Sequence, residues 1–146
     1  MSHSALHISN YLISKINLDE GGELLSNMKL QKLLYYCQGF YYAKNEELLF
    51  EDKIYAWQYG PVVPDVYHNF KQHLSKGIPK ENIPSKFNLL DKEIEMIDEV
   101  YNYFNQFSAI KLMNMTHSES PWQNTPISYE ITLDKLKEHF EKFLTT

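Results

Sequence analysis

His117 and Glu119 are the residues of this 146-residue chain whose types and spacing come nearest to catalytic chemistry. A histidine and a carboxylate two positions apart could transfer protons if a nucleophile lay nearby, and Tyr59 or Cys37 could supply one. One hypothesis is therefore a small hydrolase. A simpler interpretation is electrostatic, because His117 falls near the end of one predicted helix and Glu119 near the start of the next. Helix dipoles favour a cation at the first position and an anion at the second.

Cys37 and four of the other histidines form no convincing catalytic or metal-binding pattern. Cys37, the one cysteine, lies on an apolar helical stripe, which is typical of a small buried hydrophobic residue. His68 and His73 are five positions apart, so they do not lie on adjacent helical turns. His3 and His7 have the i, i+4 spacing, but the sequence offers them no third ligand. We predict no metal and no cofactor.

Composition and charge limit the class of protein. With 43% hydrophobic and 23% charged residues, the chain is expected to fold as one domain over residues 1–146. A net charge of −5 argues against nucleic acid as the main ligand, since phosphate binding favours basic domains, and it favours a basic protein partner. The single cysteine, the absence of a signal-peptide pattern and the short apolar runs predict a cytoplasmic protein without membrane association.

Apolar periodicity predicts a mainly α fold, a compact bundle of about six or seven helices with a small two-stranded β element. Residues 3–17 form the first predicted helix. Four further helix starts are marked by side chains that can accept a hydrogen bond from a backbone N–H. These capping residues are Ser26 or Asn27, Asp91, Ser108 and Thr132. Pro64 suits the first turn of another helix. Residues 54–58 predict a strand that ends at Gly60-Pro61 and could pair with residues 127–131. Residues 75–90 form the longest irregular segment.

The helix that starts near residue 27 carries bulky groups on several faces, which predicts a central position in the bundle. Its apolar stripe consists of Leu30, Leu33, Leu34, Cys37 and Tyr41; a second face carries Met28, Gln31, Tyr35, Gln38 and Tyr42, and a third carries Lys29, Lys32 and Tyr36. Gly39 lowers helix propensity, which the close approach of a neighbouring element would explain. The tyrosine-rich second face is either core packing or a docking stripe for a partner.

Residues 57–61 also allow two interpretations. Gly60 could provide a turn geometry that a β-carbon would forbid, so that the segment is purely architectural. Alternatively, an exposed strand edge beside Trp57 and Tyr59 could receive a peptide or a partner strand.

Three motifs together resemble one known family. They are Met28-Lys-Leu-Gln-Lys-Leu-Leu-Tyr-Tyr-Cys-Gln38 followed by Leu49-Phe50, then Ala56-Trp-Gln-Tyr-Gly-Pro-Val-Val-Pro-Asp-Val-Tyr67, and later Leu112 with Thr116-His-Ser-Glu119 and Pro121-Trp122. This pattern resembles the Panacea domain family, also described as SocA-like or phage-associated GepA-like, over residues 5–140. The resemblance implies a mostly helical antitoxin domain that neutralises a cognate toxin by direct contact, without a cofactor. It also implies an alternative, an adaptor that delivers the toxin to a protease.

The surplus of aromatic side chains fits a binding protein, since tyrosine and tryptophan are enriched at interfaces. Aromatic residues make up 14% of the chain, with eleven tyrosines against eight phenylalanines. We expect the partner-binding face to be shaped by six residues: Tyr35, Tyr36, Trp57, Tyr59, His117 and Trp122. Residues 75–90 match the family pattern least and are a further candidate for partner-specific contacts.

Overall fold

A computed structural model describes residues 3–15, 26–73, 77–78 and 86–144. These residues form a helical bundle with a small sheet, and the expected mainly α class is confirmed. The helices are α1 (Ala5–Ser14), α2 (Asn27–Asn45), α3 (Pro64–Asn69), α4 (Asp91–Phe104), α5 (Ala109–His117), α6 (Ser120–Gln123) and α7 (Leu133–Phe140); the strands are β1 (Ile54–Trp57), β2 (Gly60–Val62) and β3 (Glu130–Ile131). None of these helices combines the length and apolarity needed to cross a bilayer. Most of the predicted irregular segment 75–90 lies outside the described residues.

Helix α2 is the central element of the bundle, as its several bulky faces predict. The Ser26 hydroxyl caps it by accepting from the Lys29 N–H at 3.2 Å. Every residue from Leu30 to Gly39 is buried, because α1, α3, α4, α5, α7 and β2 all pack against this helix. A helix enclosed in this way needs internal partners for its polar side chains.

Buried glutamines on α2 find those partners in the backbone of neighbouring loops. Gln38 accepts from the Leu49 N–H at 2.9 Å and donates to the Phe50 carbonyl at 2.7 Å. Gln31 accepts from the Val63 N–H at 2.8 Å, just before α3. Burial therefore favours the packing interpretation of the second face, and these amides hold the sheet region and α3 against the central helix.

Gly39 allows α7 to approach α2 closely, which confirms the expected reason for a glycine there. A β-carbon at Gly39 would overlap the ring of Phe140, which is 1% exposed. The absent side chain thus makes room for an aromatic ring in the core.

The sheet has three antiparallel strands in the order β2-β1-β3, one more than expected. The predicted pairing of residues 127–131 with the first strand is confirmed, since Ile54 pairs with Ile131. The prediction that Gly60-Pro61 ends the strand region was wrong. The chain turns at residues 58–59, and Pro61 pairs with Ala56 inside β2. A three-residue edge strand tolerates proline because its outer N–H positions need no partner in the sheet.

Gly60 occupies the start of β2 with a φ of 117°, a backbone conformation that favours glycine. A β-carbon there would also lie 2.9 Å from Lys32 Cε and 3.0 Å from Thr116 Oγ1. The architectural interpretation of this glycine therefore has a steric basis.

Helix starts agree with the predicted caps except at α4. The hydroxyls of Ser108 and Thr132 accept from N–H groups of α5 and α7, as expected. Asp91 is not the cap of α4 but its first residue, and Leu90 precedes it. The Glu93 carboxylate accepts from the Leu90 N–H at 2.7 Å and is bonded to His3 Nε2 at 2.9 Å. The Glu93 carboxylate, and not the Asp91 side chain, therefore satisfies the backbone N–H that precedes the helix.

Candidate functional site

A groove of about 810 Å³ opens between α2, α4, α5 and α7. Its wall is mostly apolar, and its lining includes Phe40 from α2, Val100 and Phe104 from α4, Met115 from α5 and Phe140 from α7. Two further aromatic residues of the lining are largely exposed to solvent: Tyr103 at 57% and Phe143 at 61%. A concave apolar surface that keeps large aromatic side chains in solvent is typical of a binding site.

Glu119 contributes a carboxylate to the inner wall of this groove. Its Oε1 accepts from the Tyr35 hydroxyl and its Oε2 from the Tyr36 hydroxyl, each at 2.9 Å. Burial raises the pKa of Glu119 to about 7, although the hydrogen bonds from Tyr36 and Tyr35 act in the opposite direction. Near neutral pH this group therefore exchanges between the neutral acid and the carboxylate.

The two tyrosines hold the Glu119 carboxylate in place, and Tyr36 also lines the groove. Burial and the neighbouring Glu119 charge raise the pKa of both phenols well above its usual range, so both hydroxyls remain donors. The Tyr36 ring stacks on Phe104 at 3.9 Å between ring centroids. The Tyr35 ring meets Phe140 edge-on at 5.3 Å. Packing on both rings fixes the direction from which the carboxylate is hydrogen-bonded.

The turn between α5 and α6 directs the Glu119 side chain inward. Glu119 donates its backbone N–H to the Thr116 carbonyl at 3.1 Å as α5 ends. Pro121 is the second residue of the four-residue helix α6, a first-turn position where its missing N–H is harmless. The electrostatic interpretation of the sequence fits these positions, since His117 ends α5 and Glu119 precedes α6.

His117 and Trp122 form a second contact group around the same turn. Their rings stack at 4.1 Å between centroids with an interplanar angle of 25°. The Trp122 Nε1–H donates to the Trp57 carbonyl at 2.9 Å, which ties α6 to strand β1. Within the described part of the chain, the buried His117 Nε2 has no hydrogen-bond partner.

Tyr59 lies in the β1–β2 turn and is 59% exposed.

The structure therefore sorts the six predicted site residues into three places. Tyr35 and Tyr36 meet at Glu119, while Trp57, His117 and Trp122 form one connected group. The main chain from residue 117 to residue 119 joins the two groups. Tyr35 and Tyr36 are 0% and 1% exposed; Tyr36 also lines the groove, whereas Tyr35 is linked to it through the hydrogen bond to Glu119. Their assignment to a partner-binding face stays a prediction.

Lys32 is a buried cation on the side of α2 that faces the hairpin. The end of its side chain lies against Gly60, and the residue is 3% exposed. Burial lowers its pKa to about 8. Among the described residues it forms no ion pair or hydrogen bond that would offset this desolvation.

The residues proposed for a hydrolase do not form a hydrogen-bonded pair of nucleophile and base in the described part of the chain. The Glu119 carboxylate is bonded to Tyr35 and Tyr36, and Cys37 is buried, with a pKa raised far above its usual range by that burial. Among the described residues, no three side chains are grouped in a way that could hold a metal ion. The arrangement offers a concave shape, apolar surface and the partly buried carboxylate of Glu119.

Sequence reasoning did not identify the groove. Several of its lining residues were not among the expected site residues: Phe40, Lys44, Glu99, Tyr103, Met115, His139 and Phe143. One signal was present, because Tyr103 lies off the apolar stripe of its helix, where a large aromatic side chain is exposed. The other residues meet only after four helices have packed.

Comparisons with known proteins agree with the motif pattern. A model of the family described as "Antitoxin SocA-like, Panacea domain" matches residues 30–123. The chain is also similar to a protein named Antitoxin SocA from Caulobacter vibrioides, with 32% identity over 124 residues, which cover 75% of this chain and 66% of that relative. No solved structure matches the chain significantly.

Proposed function

Because this chain belongs to the antitoxin SocA-like, Panacea domain family, we propose that it is a cytoplasmic antitoxin that neutralises a cognate toxin by binding it directly. Family membership supports the antitoxin role. Direct binding, without catalysis, is our inference from the surface chemistry of the described residues.

The observation that carries this proposal is the groove with exposed aromatic side chains. Tyr103 and Phe143 together offer a large amphipathic and apolar surface to a partner, and aromatic side chains of this kind often dominate binding energy. A stable complex of standard size would bury about 800 Å² on each partner, so the interface would extend beyond the groove. The exposed Tyr59 in the β1–β2 turn is a candidate for such an outer contact.

The six sequence-predicted residues take different roles in this proposal. Tyr35 and Tyr36 hold Glu119 in the groove wall. The α5–α6 turn, which carries Glu119, is held by contacts among Trp57, His117 and Trp122. The same contacts hold the neighbouring hairpin. Tyr59 contacts the partner directly.

Co-expression with the toxin encoded by the adjacent reading frame tests the proposal. We expect the antitoxin to restore growth and to co-purify with the toxin as a stable complex. Absence of both rescue and co-purification would reject direct neutralisation.

Surface variants then test whether the groove is the docking face. Tyr103→Ser and Phe143→Ser remove exposed rings, so the fold should persist. Truncating a central aromatic contact typically removes about 2 kcal/mol of binding free energy, which is about 30-fold in Kd. Tyr129→Ser is the matched control, because this tyrosine is 66% exposed and does not line the groove. Equal toxin affinity in all three variants would exclude the groove as the docking face.

A toxin half-life measurement in cells separates inhibition from delivery to a protease. Direct neutralisation predicts a long-lived toxin in the presence of this protein. Accelerated loss of the toxin would instead support the adaptor alternative, with a protease as a further partner.

A further inference from the structure

We propose that the groove recognises a basic side chain, a lysine or arginine on an apolar segment of the toxin, by pairing it with the Glu119 carboxylate. This inference rests on the proposed function and specifies the chemistry of the partner. It identifies Glu119 as the residue of the groove that determines specificity.

Glu119 is available for such a pair. An ionised carboxylate has about four acceptor positions, and the hydroxyls of Tyr35 and Tyr36 occupy two of them. The remaining positions belong to a carboxylate that lines the groove. Among the described residues, Glu119 forms no ion pair with a cationic side chain. A partly buried carboxylate without a counter-charge favours a cationic ligand.

The walls of the groove suit the rest of a basic side chain. Phe40, Phe104 and Phe140 provide apolar surface for its aliphatic stem. Tyr103 and Phe143 add aromatic rings at exposed positions, where a cation can interact with a ring face. A volume of about 810 Å³ exceeds one side chain, so the occupant is a short apolar segment that carries a basic residue.

Among the titratable groups that line the groove, we assign the selection of a basic side chain to Glu119. Lys44 and Glu99 line it from exposed positions on α2 and α4 and carry opposite charges. His139 faces it from α7, and burial together with nearby Lys142 lowers the pKa of this histidine, which keeps it neutral near pH 7. The Tyr36 phenol stays protonated. Cation binding should therefore strengthen as Glu119 loses its proton around neutral pH.

NMR titration of the isotope-labelled protein with n-butylguanidinium, an arginine side-chain mimic, tests the proposal without the toxin. The neutral isostere n-butylurea is the matched probe. We expect saturable shifts at groove residues with the guanidinium and much smaller shifts with the urea. Affinity for the guanidinium should be about tenfold weaker at pH 6 than at pH 8, because a group with a pKa of about 7 is mostly protonated at the lower pH.

Two variants sharpen this experiment. Glu119→Gln keeps the size of the side chain but removes its charge, and it should weaken guanidinium binding at least fivefold at pH 8 and abolish the pH dependence. Glu95→Gln is the control, because this exposed glutamate of α4 does not line the groove, and it should change affinity less than twofold. If Glu119→Gln does not fold, the pH dependence of guanidinium binding to the wild-type protein still tests the proposal.

Equal binding of guanidinium and urea, or pH-independent guanidinium binding, would overturn the charge recognition and leave toxin docking in the groove intact. Strong pH-dependent guanidinium binding in a protein that fails to co-purify with the toxin would support the site and reject the proposed function. The two proposals can therefore fail separately.

Discussion

Gly39 and Phe140 meet in the core between α2 and α7 so closely that a β-carbon on the glycine would overlap the phenyl ring, with Cζ only 2.8 Å away. The same ring contacts Tyr35 edge-on at 5.3 Å and lines the groove. The glycine thus sets how deeply α7 sits, and with it the position of one groove wall.

Gly39→Ala should lower the free energy of unfolding by about 1–2 kcal/mol. Inserting a methyl group into a packed core typically costs 1–3 kcal/mol, and here it should exceed the gain in helix propensity of about 1 kcal/mol. Urea denaturation of the variant and the wild type measures the difference. Combining Gly39→Ala with Phe140→Leu should recover at least 0.5 kcal/mol relative to the sum of the single changes, since the two residues are in contact. Strict additivity would show that the overlap is relieved elsewhere.

Glu119 should make stability fall as pH rises through neutrality. Its pKa is raised from 4.5 to about 7 on folding, so the folded state binds the extra proton between these values. The associated stability is complete below pH 4.5 and is lost as pH passes 7. Between pH 6 and pH 8 we expect a loss of roughly 1 kcal/mol from this group. Denaturation at both pH values should show this loss in the wild type and in Glu99→Gln, but not in Glu119→Gln. An unchanged slope in Glu119→Gln would contradict the assignment.

Lys32 should destabilise the protein at neutral pH. Folding lowers its pKa from 10.5 to about 8, so its ionised form is disfavoured by burial, and stability should rise as pH increases from 8 towards 10.5. Lys32→Met keeps the chain length without the charge and should raise the free energy of unfolding at pH 7 by roughly 1–3 kcal/mol. Lys44→Met, on the exposed side of the same helix, is the control and should have little effect. A destabilised Lys32→Met variant would indicate that the ammonium has a stabilising partner.

Trp122→Phe should cost about 1 kcal/mol, because it removes the hydrogen bond to the Trp57 carbonyl while retaining an aromatic ring for the stack with His117. Urea denaturation measures the loss. Hydrogen exchange of the Trp122 indole N–H in the wild type provides an independent check, since the bonded proton should be protected. Fast exchange together with unchanged stability in the variant would show that the bond contributes nothing.

Local patterns predicted much of the fold. Apolar stripes placed the helices, and the short polar side chains of Ser26, Ser108 and Thr132 marked three of their starts, because capping depends on neighbours within one turn. Prediction was wrong at the start of α4, where Asp91 is the first helical residue and not the cap. The carboxylate that accepts from the Leu90 N–H belongs to Glu93, which is also bonded to the distant His3.

The chain by itself determined its family motifs, its helical class and the enclosed position of α2, since these follow from residue type and spacing along a few turns. Only the tertiary structure decided what Glu119 can do. Its pKa depends on burial and on two tyrosines more than 80 positions away in the chain. The groove likewise exists only where α2, α4, α5 and α7 converge. Desolvation and concavity arise from the packing of distant segments, so no local pattern of residues encodes them.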